Sequence, residues 1–159
     1  MITIAQADTP DAVETARGLF VEYSESLDSD LCFQGFDGEL AQLPSYYSPP
    51  SRRLLLASVD DAVAGCAALR NLGDGVCEIK RLYVRPACRG YALGRRLAEA
   101  IIGEARAIGY ERMCLDTLPT MKTARALYDD LGFSHTAPYY HNPIEGAVYM
   151  ELDLKNHPG

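Results

Sequence analysis

The sequence predicts an α/β (α+β) fold, a mixed central sheet of about seven strands with helices on both faces. Three observations carry that expectation. Apolar residues recur at two-residue spacing in some stretches and at helical spacing in others. Three consecutive strand-like runs, joined by tight turns, form a meander. A further strand passes through a small-residue turn directly into a long amphipathic helix. With 159 residues, 48% hydrophobic and 23% charged, the chain is sized for a single domain over 1–159 with a sizeable core.

Met1 to Ala7 alternates as a first strand. Thr9 stands as an N-cap, with Pro10 at the first helical position and Asp11 and Glu14 in the first turn. Ala16, Leu19, Phe20, Tyr23 and Leu27 keep helical spacing, which carries the helix to about Asp28. Asp37 to Leu43 reads as a short helix, and Pro44, Pro49 and Pro50 punctuate the stretch beyond it. Arg53 to Val59, Ala62 to Arg70 and Val76 to Val84 form the meander, turning at Asp60-Asp61 and at Asn71 to Gly75. Leu93, Leu97, Ile101, Ala105 and Ile108 define the central helix, ended by Gly109. Arg112 to Thr117 is a strand. Ala124, Leu127, Tyr128 and Leu131 mark a last helix before Gly132, and Phe133 to Thr136 and Ala147 to Leu154 are the final strands. The unit from 77 to 117 is expected to be a right-handed parallel crossover.

A net charge of −7 argues against nucleic acid as a partner, since no positive field draws in a phosphate backbone. Cys32, Cys66, Cys77, Cys88 and Cys114 fit neither a zinc nor a disulfide framework. No metal is implied, and a reducing, cytoplasmic compartment is expected. Met1 to Glu14 lacks a basic segment followed by an apolar one, and no apolar run approaches membrane-spanning length, so no membrane partner is expected.

The most informative run is Arg89-Gly90-Tyr91-Ala92-Leu93-Gly94. It sits between a strand and a helix. The first amides of a helix have no partners inside it, and small residues let a ligand approach the backbone. The combination makes a site for phosphate, with Arg89 and Arg95 adding positive charge.

With these elements in place, the chain resembles the GNAT superfamily of acyl-CoA-dependent N-acetyltransferases. The run at 89–94 matches that family's pyrophosphate loop, with Ala92 where glycine is usual. Upstream, Ile79-Lys80-Arg81-Leu82-Tyr83-Val84-Arg85-Pro86 resembles the strand that precedes the loop. Downstream, Ala124-Arg125-Ala126-Leu127-Tyr128-Asp129-Asp130-Leu131-Gly132-Phe133 resembles the family's helix end, although Met121 stands where Asn is frequent. Thr117, Thr120 or Thr123 could substitute for that Asn.

The resemblance implies the GNAT fold and acetyl-CoA as acyl donor, with a small-molecule or peptide amine as acceptor. Leu82, Tyr83 and Val84 would lie along pantetheine beside a strand bulge. Arg89, Gly90, Tyr91, Ala92, Leu93, Gly94 and Arg95 would hold the pyrophosphate. Tyr128 would protonate the departing thiolate; its apolar face also suits a core aromatic. Glu78 stands where several members carry a catalytic base, and equally suits pairing with Lys80 or Arg81. Homodimers are frequent in the family.

The acceptor side is less specified. Tyr139-Tyr140-His141-Asn142-Pro143, Tyr46-Tyr47 and Cys32-Phe33-Gln34-Gly35-Phe36 are candidate linings, and Glu39, Asp37 and Glu145 candidate amine partners. Two other functions compete with acetyl transfer. Asp116 stands after the loop as a dinucleotide-binding acid would, but the loop is not G-x-G-x-x-G and a meander precedes it. A non-catalytic acyl-CoA-binding module of the same fold has Ala92 and Met121 as its support.

Overall fold

The computed structural model describes residues 1–26, 36–43, 47, 49–89, 92–118, 122–139 and 146–155. Among them the order is β1 (Ile2–Gln6), α1 (Pro10–Ser26), α2 (Phe36–Ala41), β2 (Arg53–Val59), β3 (Ala62–Gly73), β4 (Val76–Val84), a 3-10 turn (Pro86–Cys88), α3 (Leu93–Ile108), β5 (Arg112–Thr117), α4 (Lys122–Asp130), β6 (Ser134–His135) and β7 (Val148–Asp153). The seven strands form one sheet in the order β1-β2-β3-β4-β5-β7-β6. Among the described residues only β4 and β5 run parallel; every other neighbouring pair is antiparallel. No helix among the described residues is long and apolar enough to cross a membrane.

Two cores lie on opposite sheet faces. One gathers Leu55, Leu69, Cys77, Ile79, Met113 and Leu115 under α3, together with Tyr128 of α4. The other gathers Leu54, Cys66, Ala68 and Tyr83 under α1 and α2, including Phe20 and Phe36. Alternation along the strands sorts these residues. On α3, Leu93, Leu97, Ile101 and Ile102 are all buried. Each is worth about 2 kcal/mol as an upper estimate, which holds α3 against the sheet along its length.

Local signals explain the ends. Thr9 Oγ1 accepts from the Ala12 amide at 3.1 Å, capping α1. Gly109 closes α3 at φ +108°. The spacing to Asp28 continues into residues outside those described. β3 runs to Gly73, three residues past the expected Arg70, because Asn71 Oδ1 accepts from the Gly73 amide at 2.8 Å and shortens the turn to Asp74-Gly75.

Candidate active site

The parallel pair β4–β5 comes apart soon after it begins. Its ladder joins Val76 to Arg112, Cys77 to Met113 and Glu78 to Cys114, then stops. Beyond Glu78, the β4 edge that faced β5 has no strand partner among the described residues.

A bulge accompanies this split. On the β3 side, Cys66 faces Tyr83 and Ala68 faces Lys80, so Ala67 alone spans Arg81 and Leu82. Arg81 takes a left-handed φ of +57°, which costs an L-residue about 1–2 kcal/mol. A buried pair holds it there. Arg81 Nε and Nη2 donate to Glu39 Oε2 and Oε1 at 3.0 and 2.9 Å, and the guanidinium lies 5.1 Å over the Phe36 ring. Burial opposes the Arg81 charge, but the Glu39 carboxylate outweighs it and keeps the group protonated. Glu39 is therefore the anchor of the bulge and not the amine partner that the sequence suggests. Gly65 completes the bend opposite Val84. A Cβ there would lie 2.4 Å from the Tyr83 carbonyl oxygen, so only glycine allows the approach.

Leu82 and Val84 are partly buried against the α3 core. Tyr83 points the other way; its hydroxyl donates to Glu22 Oε1 at 3.4 Å. Glu22 also takes Arg85 Nη2 at 2.6 Å, tying α1 to the end of β4. Thr117, beyond the split on β5, has a buried Oγ1 with no hydrogen bond among the described residues.

The α3 N-terminus opens beside this edge. Ala92 precedes the helix at φ +54°, ψ +29°, and no side chain caps it. The first intrahelical bond runs from the Arg96 amide to the Ala92 carbonyl at 3.1 Å, so the helix leaves the amides of Leu93, Gly94 and Arg95 without internal acceptors. Neither backbone nor packing requires glycine at 94. Its φ is not positive, and an added Cβ would meet only Leu127 at 3.8 Å and Val84 at 3.9 Å. Arg89 is exposed and donates to the Val84 carbonyl at 3.3 Å. Arg95 is committed to Asp130 of α4 rather than standing free beside the turn. Gly90 and Tyr91 lie outside the described residues. The residues present thus fit an anionic, extended ligand: bare amides at a helix start, a glycine with room to spare, and an unpaired strand edge.

Tyr128 is buried on the α4 side, its ring edge-on to Phe133 at 5.4 Å. Burial pushes its phenol well up, and Tyr23 and Asp116 raise it further. Tyr23 comes from α1 on the opposite face; burial pushes it up to about 12, with Arg81 opposing and Asp116 assisting. Tyr23 reads only as helix stripe in the sequence, and its packing edge-on to Tyr83 has no local signal.

Glu78 sits at the last laddered position, 2% exposed, on the α1/α2 face. Tyr139 donates to its Oε2 at 2.5 Å. Its Oε1 is 3.8 Å from Arg70 Nη1 and 3.9 Å from Lys80 Nζ. Of the two expected partners, Lys80 is present, while Arg81 turns to Glu39. Burial holds the Lys80 ammonium below its usual range, with Glu78 pulling the other way.

Of the expected acceptor linings, Tyr139 reaches the site, its ring edge-on to Tyr149 at 5.5 Å. Tyr47 is buried against Phe20 at 6.0 Å, and Phe36 lies in the same core; both are packing residues. Asp37 and Thr123 are exposed. Cys32, Phe33, Gln34, Gly35, Tyr46, Thr120, Met121, Tyr140, His141, Asn142, Pro143 and Glu145 lie outside the described residues. Cys66, Cys77 and Cys114 are buried free thiols, as expected.

The sequence model of the acetyltransferase (GNAT) family matches residues 17–133. The chain is 43% identical over 155 residues to an uncharacterized N-acetyltransferase of Schizosaccharomyces pombe, spanning 96% of this chain and 95% of the relative. An acetyltransferase from Streptococcus agalactiae superposes with a TM-score of 0.78 at 22% identity, over 96% of this chain and 98% of the other. A Salmonella typhimurium structure, described as an acetyltransferase with its cofactor acetyl-CoA, superposes at 0.71 with 22% identity, over 99% and 96%.

Proposed function

Since the chain belongs to the acetyltransferase (GNAT) family, we propose that it moves an acetyl group from acetyl-CoA directly to a primary amine of a small molecule or peptide. One observation carries the residue assignment. The β4–β5 split opens beside an uncapped helix start, with Tyr128 on one side and Glu78 on the other.

In this reading, the amides of Leu93, Gly94 and Arg95 bind the donor's diphosphate, with Gly90, Tyr91, Ala92 and Arg89 completing the turn. The open edge of β4 at Leu82, Tyr83 and Val84 pairs with the extended pantetheine amides, as an added strand would. Thr117 offers its unmet hydroxyl on the same side. Glu78 accepts a proton from the acceptor ammonium, directly or through water. The freed nitrogen attacks the thioester carbonyl carbon. A C–N bond forms and the C–S bond breaks. Tyr128 gives its proton to the leaving sulfur and takes back the second proton shed by the nitrogen. A phenol whose ionisation is suppressed by burial stays protonated at working pH, as a proton donor must.

Free-thiol release with acetyl-CoA over an amine panel tests this. Tyr128→Phe should lower kcat by about 30-fold while coenzyme A affinity stays within about twofold. Saturable coenzyme A binding without transfer to any amine would instead support the acyl-CoA-binding module. Absence of coenzyme A binding would refute the groove.

A further inference from the structure

We propose that Lys80 and Arg70 form a carboxylate-binding subsite on the acceptor side, so that the acceptor is an amine that also bears a carboxylate, the chemistry of an amino acid. This rests on the transfer reading above and names its substrate class.

The observation is a pair of cations set around one carboxylate oxygen, both beyond hydrogen-bond reach of it. The Lys80 side chain is 6% exposed, yet its ion-pair partner, Glu78 Oε1, is 3.9 Å away, beyond hydrogen-bond reach. Arg70 stands directly across the strand pair from Glu78, with Nη1 at 3.8 Å from that same oxygen. Neither cation makes a hydrogen bond within the described residues. The other Glu78 oxygen is taken by Tyr139 at 2.5 Å. The Arg81 charge nearby is already matched in both oxygens by Glu39. Lys80, nearly covered, and Arg70, 35% exposed, thus share one oxygen of Glu78 at long range.

An ammonium on a side chain this covered gains from a hydrogen-bonding anion, and proteins normally supply such a group with one. A carboxylate supplied by the acceptor would meet it. Arg70 offers a planar fork and Lys80 a point charge, the usual pair of recognition elements for that anion. The same ligand would place its amine beside Glu78, the adjoining carboxylate. A simple cationic amine would meet Lys80 and Arg70 as like charges.

The test compares amino acids with their carboxamides as acceptors, in matched pairs, by thiol release from acetyl-CoA. Carboxylates should be preferred at least about 30-fold in kcat/KM, because a site built around an ion discriminates against the analogue lacking it. Lys80→Met, which keeps the side-chain volume, should bring that ratio to within about threefold of one, and Arg70→Gln should reduce it in part. Independently, calorimetry with coenzyme A present should show hexanoate binding, hexanamide not, and hexanoate affinity falling at least about tenfold in Lys80→Met. Transfer without carboxylate preference would overturn the subsite and leave acetyl transfer standing. No transfer to any amine, with hexanoate still bound through Lys80, would sustain the subsite and refute acetyl transfer. Hexanoate that binds neither protein, or both equally, would overturn the subsite.

Discussion

The two faces of the sheet meet at β4 and are built on different principles. Toward α3 and α4 the strand presents Cys77, Ile79, Leu82 and Val84, and what stays open there is backbone: an edge without a strand partner among the described residues and a bare helix start. Toward α1 and α2 it presents Glu78, Lys80, Arg81 and Tyr83, and nearly everything polar is a side chain in an ion pair or hydrogen bond. Backbone recognition suits a donor that many related enzymes share. Charged side chains, which substitution changes readily, suit the partner that differs between them.

The comparison breaks hardest at Glu39. Removing it in Glu39→Ala leaves Arg81 buried, without its bidentate carboxylate and in a left-handed conformation. Urea unfolding should show a loss of about 4 kcal/mol, and Glu39→Met with Arg81→Met should recover part of it. Alkali tests both faces together. Cys66 under α1 and Cys77 under α3 have thiols pushed up by burial, as is the Tyr23 phenol. Groups whose folded pKa is raised contribute fully below the unfolded value and lose that contribution as pH rises. Unfolded thiols ionise near pH ~8.5 and phenols near ~10. Stability should therefore be flat to about pH 8 and fall by about 3 kcal/mol for each buried thiol by pH 11 in equilibrium denaturation. A flat curve over that range would contradict the burial of these groups.

Gly65→Ala separates the faces. Its Cβ would press on the Tyr83 carbonyl and shift the donor edge without touching Glu78 or Lys80. It should cost about 2 kcal/mol of stability, and coenzyme A affinity should drop at least about tenfold by calorimetry. The smallest change is Ala92→Gly. It relieves the left-handed φ at the turn, so thermal unfolding should show a gain of about 0.5 kcal/mol, with coenzyme A binding retained.

Much of this was legible in the residues. The stripe from Leu93 to Ile108 marked α3 at both ends, because apolar spacing and Gly109 spoke together. β2 and β4 matched their apolar runs for the same reason. The bulge left a fainter trace. Ile79 and Leu82 lie three apart, then Val84 comes at two, and that change of step is where the strand alters parity. A glycine inside a strand, as at Gly65, signals close backbone approach and was readable in principle. The Arg81–Glu39 pair was not. Its members are 42 positions apart, and no periodicity links a short helix to a distant strand. Likewise Arg70 faces Glu78 only because β3 outran its expected end and set the register of the hairpin.

The bidentate tie between positions 39 and 81 limits how this enzyme can be recombined. A chimera that borrows the first fifty residues from a relative, to acquire new selectivity, inherits whatever that donor carries at position 39. A relative without a carboxylate there would leave Arg81 buried and unmatched, so the α2 segment and β4 must be exchanged as one inherited block.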